Sequence, residues 1–180
     1  MSLASGPSPT QSQLFTLIRA FLLRILPDTG WEVVLGQANR VPQPPTDGLV
    51  SVIFRGLNRL ATTVDTWSEA PDPVVLTHQQ DVAAKIQLQV FGEDAVDAVN
   101  TITTLLRSSY ACQFFAGSGI APLFCDDGQQ VPFITGETQY QDRYIVEAQF
   151  EMSVTMATTQ QFADTWALTV ELPVDLMPVA

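Results

Sequence analysis

The chain has 180 residues, 46% of them hydrophobic, and carries 8 Lys and Arg against 19 Asp and Glu, a formal net charge of −11. That length and apolar content fit one domain with a real core, and the acidic balance excludes wrapping nucleic acid by phosphate neutralisation, though not DNA sliding past without sticking. No apolar run reaches the roughly 18 residues of a membrane span, no basic region precedes an apolar stretch at the N-terminus, and two cysteines make no disulfide framework, so no membrane, no secretion signal and a reducing compartment are expected.

Residues 1–8 are rich in Ser, Gly and Pro and read as a disordered lead. Ser8, Pro9 and Gln11 then read as a helix start, with Ser8 as N-cap, Pro9 in the first helical position and Gln11 completing a capping box. Leu14, Leu17, Ile18, Phe21, Leu22 and Ile25 follow at helical spacing, widened by Phe15, Leu23 and Leu26. A helix this apolar is expected to be buried on most sides, by its own domain or by a neighbour. Short strands follow at Trp31–Leu35 and Leu49–Arg55, separated by a Pro-rich loop. Leu60–Val74 is polar and rich in Thr, and reads either as an extended arm or as a plain loop.

From Asp81, Val82, Ala84, Ile86, Leu88 and Val90 alternate with Lys85, Gln87 and Gln89, the pattern of a strand with one wet face. Glu93, Asp94 and Asp97 open a second helix running to about Arg107, with Val96, Val99, Ile102 and Leu106 expected on its buried face. Tyr110–Phe115 extends it or forms another short helix. Ile120–Cys125 and Val131–Thr135 read as short strands around the turn Asp126-Asp127-Gly128. Tyr140–Met156 is the clearest alternation in the chain. Tyr144, Val146, Ala148, Phe150, Met152, Val154 and Met156 share one parity, with Asp142 as its exception. At about 3.3 Å per residue such a strand would span roughly 56 Å, whereas a domain of this size has a radius of gyration of about 16 Å. It must bend, or overhang the body and meet something else. Gln160–Asp164 is a link, and Trp166–Leu172 reads as a last strand. The whole predicts an α+β fold: a mainly antiparallel twisted sheet, two amphipathic helices packed on one face, and an extended loop or β-arm. The domain is expected over 9–172, with 173–180 as a tail.

No catalytic, cofactor or metal site emerges. His78 is the single histidine, and one His with two Cys lacks the spacing of a zinc set. A Cys125–His78 dyad is possible only through space, and both Cys112 and Cys125 read as small core residues. Gly117-Ser118-Gly119 fits neither a nucleophile elbow nor a phosphate loop and reads as a turn. Glu147 and Glu151 fall on the wet parity, where solvated charge is ordinary. Three features point instead to contacts. Gln37, Asn39 and Arg40 sit in a Pro-stiffened loop, readable as an interface or as a rigid surface loop. Thr63, Val64 and Asp65 belong to a β-prone run in the candidate arm. Asp142 and Arg143 open the long strand, and Asp142, if buried, needs a partner, for which Arg40 is the leading candidate.

The loop Gly36-Gln37-Ala38-Asn39-Arg40-Val41-Pro42, then Leu88-Gln89-Val90-Phe91-Gly92 entering the second helix, then Asp142-Arg143-Tyr144, then Gln161-Phe162-Ala163-Asp164 occur in one order over about Gln11 to Leu172. This ordered set resembles bacteriophage neck-terminator, or tail-completion, proteins, with Tyr144 where the family pattern often has Trp. The resemblance implies a structural virion protein, assembled in the host cytoplasm. It further implies a homo-oligomeric ring, commonly hexameric, between the head-completion or connector protein and the tail-tube protein, with DNA passing through the lumen without specific binding. Another virion part, a tail-tube or head-connector subunit, is the alternative reading, and a cysteine-dependent enzyme the reading from a different class.

Overall fold

The computed structural model describes residues 5–27, 30–36, 48–68, 74–131, 133–135 and 139–160. The first helix, α1 (Gln11–Ile25), is capped by Thr10 rather than Ser8. The Thr10 hydroxyl accepts from the Gln13 backbone N–H at 3.2 Å, and the Gln13 side chain accepts from the Thr10 N–H at 2.7 Å. Ser8 is engaged elsewhere. It exchanges backbone hydrogen bonds with Thr155, and the Ser5 N–H donates to the Ala157 carbonyl, so Ser5–Ser8 run beside a strand where a disordered lead was expected. Within this chain α1 buries one stripe, Leu14, Ile18, Phe21 and Leu22, while Phe15, Leu17, Leu23 and Ile25 are partly covered.

Strands β1 (Glu32–Leu35) and β2 (Leu49–Arg59) pair in parallel. β2 runs four residues past the expected end, through a bulge at Gly56, whose φ of +143° suits a residue with no Cβ. β3 (Val64–Trp67) and β4 (Val74–Phe91) follow, then α2 (Ala95–Leu106), α3 (Ser109–Phe115) and β5 (Ile120–Cys125). The expected strand at Val131–Thr135 is instead β6 (Gln129–Gln130) and β7 (Phe133–Thr135). The expected long strand is interrupted at Asp142: Tyr140 lies in β8 (Gln139–Gln141), which pairs with β7, and the long strand proper is β9 (Arg143–Gln160).

The main sheet has the order β1-β2-β4-β9-β5, with β3 added along β4 and β6 along β9. β4 and β9 pair antiparallel over their whole 18-residue lengths, from Val74↔Gln160 to Phe91↔Arg143. One face of this ladder carries Val82, Ala84, Ile86, Leu88 and Val90 beside Val146, Ala148, Phe150 and Met152, all buried under the helices. Phe21, Phe114, Phe115 and Phe150 meet there with ring centroids 5.1–5.5 Å apart. α2 buries Ala95, Ala98, Val99, Ile102 and Leu106, but Val96 is 45% exposed, against expectation. Ala95 and Ala98 lie on the buried face, and Val96 stands about 100° round the helix from Ala95. The buried Thr103 hydroxyl donates to the Val99 carbonyl at 2.9 Å.

Candidate functional site

Beyond the helices the ladder continues as an arm. Its inner pair is the distal halves of β4 and β9, and β3 lines it on one side, in register Val64↔Gln79 to Trp67↔Leu76. β2 and β3 run the same way along β4, so residues 49–67 and 74–91 form one long hairpin. The turn between them, at residues 60–61, is pinned to the Asp81 carbonyl by the Leu60 and Ala61 N–H groups. Near the tip, the Ser68 N–H donates to the Val75 carbonyl and the Val75 N–H donates to the Ser68 hydroxyl, at 2.8 and 2.9 Å. The candidate arm is therefore a strand already paired within its own chain, with its outer edge open among the described residues. All four β3 residues are exposed, Val64 at 59%.

His78 has a structural role and fastens this arm. Its Nδ1 donates to the Asp65 carboxylate at 2.7 Å, and its Nε2 lies 3.1 Å from the Thr158 hydroxyl. One ring thus ties β3, β4 and β9 together. On the polar face Ser153 donates to the Asp81 carboxylate at 2.7 Å. Register puts Leu57, Trp67 and Met156 on the same face as the core, because they oppose Ala84, Leu76 and His78, yet all three are exposed.

The other edge of the sheet is β5. It carries Leu123 and the 55%-exposed Phe124, and borders an open cleft of about 660 Å³ lined also by Cys112, Ser109 and Arg107. Arg107 organises it, donating to the Cys125 carbonyl at 2.9 Å and to the Asp127 carboxylate at 2.7 Å. Gly128 lets the following turn close on α2, since a Cβ there would collide with Val99.

The expected interface residues fall into three groups. Thr63, Val64 and Asp65 are exposed on the arm. Asp142 is exposed in the break before β9 and accepts a hydrogen bond from Gln130 at 3.2 Å, so it is not the buried carboxylate that would demand an arginine. Arg143 is partly buried with its guanidinium 5.7 Å over the Phe91 ring, an internal packing role. Gln37, Asn39 and Arg40, and with them the expected Asp142–Arg40 pair, lie outside the described residues, as does the expected strand Trp166–Leu172.

The chemistry of a thiol enzyme is missing. Cys125 is buried, and that burial pushes its thiol up to about 11, against the opposing pull of Arg107, so it stays protonated at neutral pH and is a poor nucleophile. Cys112, expected in the core, is exposed, because it lies on the side of α3 turned from the buried Ala111 and Phe115. Cys125 aligns with Ala148 and His78 with Met156, eight residues apart along β9, or about 26 Å. No dyad forms. Among the described residues no cluster of three or more His, Cys, Asp or Glu could hold a metal ion, and no helix is long and apolar enough to cross a membrane.

Residues 12–174 match a family described as phage neck terminator protein. No curated protein matches the chain. Among solved structures the chain is similar to one described as the sheath/tube terminator of an extracellular contractile injection system, PVC, in its extended state, with a TM-score of 0.51 at 9% identity. That likeness of fold covers 93% of this chain and 65% of the other, so the chain spans about two-thirds of its length.

Proposed function

Since this chain belongs to the phage neck terminator family, with a structural tail-terminating role rather than a catalytic one, we propose that it ends the tail by closing into a ring of identical copies. In this reading the domain over 9–172 supplies one sector, and the arm of β3, distal β4 and distal β9 joins neighbours. The observation that carries it is the 18-residue ladder that outruns its helices and presents an open, fully exposed β3. An open edge pairs readily with another chain, and an identical head-to-tail contact closes into a ring when the rotation between copies closes.

The ring is of six copies, seated between the head-completion or connector protein and the tail tube, in a virion assembled in the host cytoplasm. Thr63, Val64, Asp65 and the loop residues Gln37, Asn39 and Arg40 contribute to its contacts, with Asp142 and Arg143 at the root of β9. The polar face of the ladder carries Asp81, Glu147 and Glu151 as well as Lys85, and the chain has a net charge of −11. A lumen bounded by such a face repels phosphates, so DNA passes without specific binding.

Negative-stain images of the purified protein, alone and mixed with tail tubes, test this. Closed single rings that seat on tube ends are expected. Unlimited stacking would point to a tube subunit instead, and a protein that stays monomeric even with tubes would end the ring reading. Deletion of residues 62–69 should leave a folded monomer, by circular dichroism and light scattering, that forms no rings.

A further inference from the structure

Resting on the ring reading, we propose that the surface receiving a neighbour's arm is the opposite edge of the same sheet: β5 with the acidic turn that follows it. The occupant is a second copy of this chain, and two properties of the edges select it. The first is charge. The chain has only eight Lys and Arg, yet two of them, Arg55 and Arg59, stand exposed together on the distal part of β2, at the root of the arm and beyond the reach of β1. The far edge instead collects exposed carboxylates, with Asp126 and Asp127 after β5 and Asp142 beside β6. Arg107 and Arg143 are the cations near them; Arg107 is ion-paired with Asp127 at 2.7 Å and Arg143 is packed over the Phe91 ring. A cationic root on one edge therefore matches an acidic rim on the other, whereas two like edges would repel.

The second property is apolar surface on both partners. Val64 and Trp67 are exposed on the arm; Leu123 and Phe124 are exposed on β5. The strand order β1-β2-β4-β9-β5 puts these surfaces on opposite sides of one sheet. A contact between unlike surfaces on opposite sides is heterologous, the kind that propagates around a ring, while a symmetric pair of arms would stop at a dimer. β5 also has Pro122 within it, and Arg107 already occupies the Cys125 carbonyl. The receiving edge is thus blunted at its ends, and contact centres on Leu123 and Phe124 and the cleft below them.

Two charge-reversed variants test the proposal. Arg55→Glu with Arg59→Glu reverses the arm root; Asp126→Lys with Asp142→Lys reverses the rim. All four side chains are exposed, and circular dichroism should find both variants folded. Each alone should lose ring formation by light scattering. Mixed one to one they should regain it, because each arm then meets a rim of opposite charge. Cys112, exposed in the receiving cleft, provides a second readout: its alkylation should proceed in wild-type monomer and be lost in the ring. Wild-type rings with either variant still assembling alone, a mixture that stays dispersed, or Cys112 equally reactive in the ring would overturn this contact and leave the ring reading standing. A wild type that never closes, alone or on tail tubes, overturns both.

Discussion

The two halves of the β4–β9 ladder share register, strand pairing and length but not surroundings. From Val82 to Val90 and Met152 back to Val146, the inner face lies under three helices and is dry. From Val74 to Gln80 and Val154 to Gln160 the same face is covered unevenly among the described residues: Leu76 is buried, but Met156 is 41% exposed, whereas Phe150, six residues earlier on the same parity, is 1% exposed. The β4–β9 pairing runs unbroken through both halves, which differ in their flanking strands and in the cover over the inner face. The proximal half is a core. The distal half holds its shape through the ladder and a few side-chain ties, and its surface remains available to a partner.

The sharpest way to break this comparison is to truncate one side chain in each half. Phe150→Ala removes a buried ring that packs 5.5 Å from Phe115, and should cost about 3–5 kcal/mol. Met156→Ala on the same strand face should cost less than about 1 kcal/mol, as exposed substitutions do. Urea unfolding of the two variants measures both. Equal losses would mean that the arm is part of the cooperative core.

Gly128→Ala sharpens the boundary of the body. A Cβ there collides with the Val99 side chain, so the turn after β5 must move off α2. Overpacking of this kind typically costs about 1–3 kcal/mol. A wild-type melting temperature in this variant would show that the turn can shift freely, and that the receiving edge is softer than its packing implies.

A smaller effect is expected from Cys125. Its folded thiol titrates near 11 rather than at the ordinary 9.0, chiefly because burial disfavours the thiolate. Between those values the unfolded chain loses the proton and the folded one keeps it. Stability should therefore decline as pH rises from 9 to 11, and be unaffected by this group below 9. Cys125→Ala should flatten that decline, read as unfolding midpoints across the pH range. Native alkylation at pH 8 should modify Cys112 and spare Cys125.

How much of this was legible in the sequence divides along the same line. Where a face is buried, alternation records it: Val82–Val90 and Tyr144–Val154 were readable as strands, and the stripe of α1 as a helix. Where no face is buried, composition carries no such record. Thr77, His78, Gln79 and Gln80 continue β4 without any apolar period, so half of that strand was invisible, and with it the pairing of β3. Local competition hid other details. Ser8 was read as the cap of α1, but Thr10 forms the capping box with Gln13 while Ser8 bridges to Thr155. Val96 lost its expected place on the buried face of α2, which Ala95 and Ala98 share instead. Of the candidate interface, Thr63, Val64 and Asp65 were singled out by β-prone composition, and they stand exposed on the arm. Asp126 was read as part of a turn, as it is; that the turn lies at the sheet edge depends on which strand ends the sheet.

The last and smallest effect concerns the tie that holds β3. Asp65 accepts from His78 at 2.7 Å, and His78 also reaches Thr158 across β9. Asp65 is about half exposed, so water competes for the pair and its global contribution should be less than about 1 kcal/mol. Its local contribution is larger in consequence, because β3 has four residues, all exposed, and the tie adds to the backbone pairing and the Ser68–Val75 bonds that hold it along β4. Asp65→Asn keeps the shape and removes the charge. Hydrogen exchange should then speed up at Val64–Trp67 and stay unchanged at Val146–Met152, with the urea midpoint nearly that of the wild type. Slower ring closure should accompany it, since a strand that frays must be ordered again at the contact. Exchange that rises in both halves together would mean that arm and body open as one unit. Exchange that rises in neither would mean that the backbone ladder alone sets β3, and that the histidine clasp adds nothing to it.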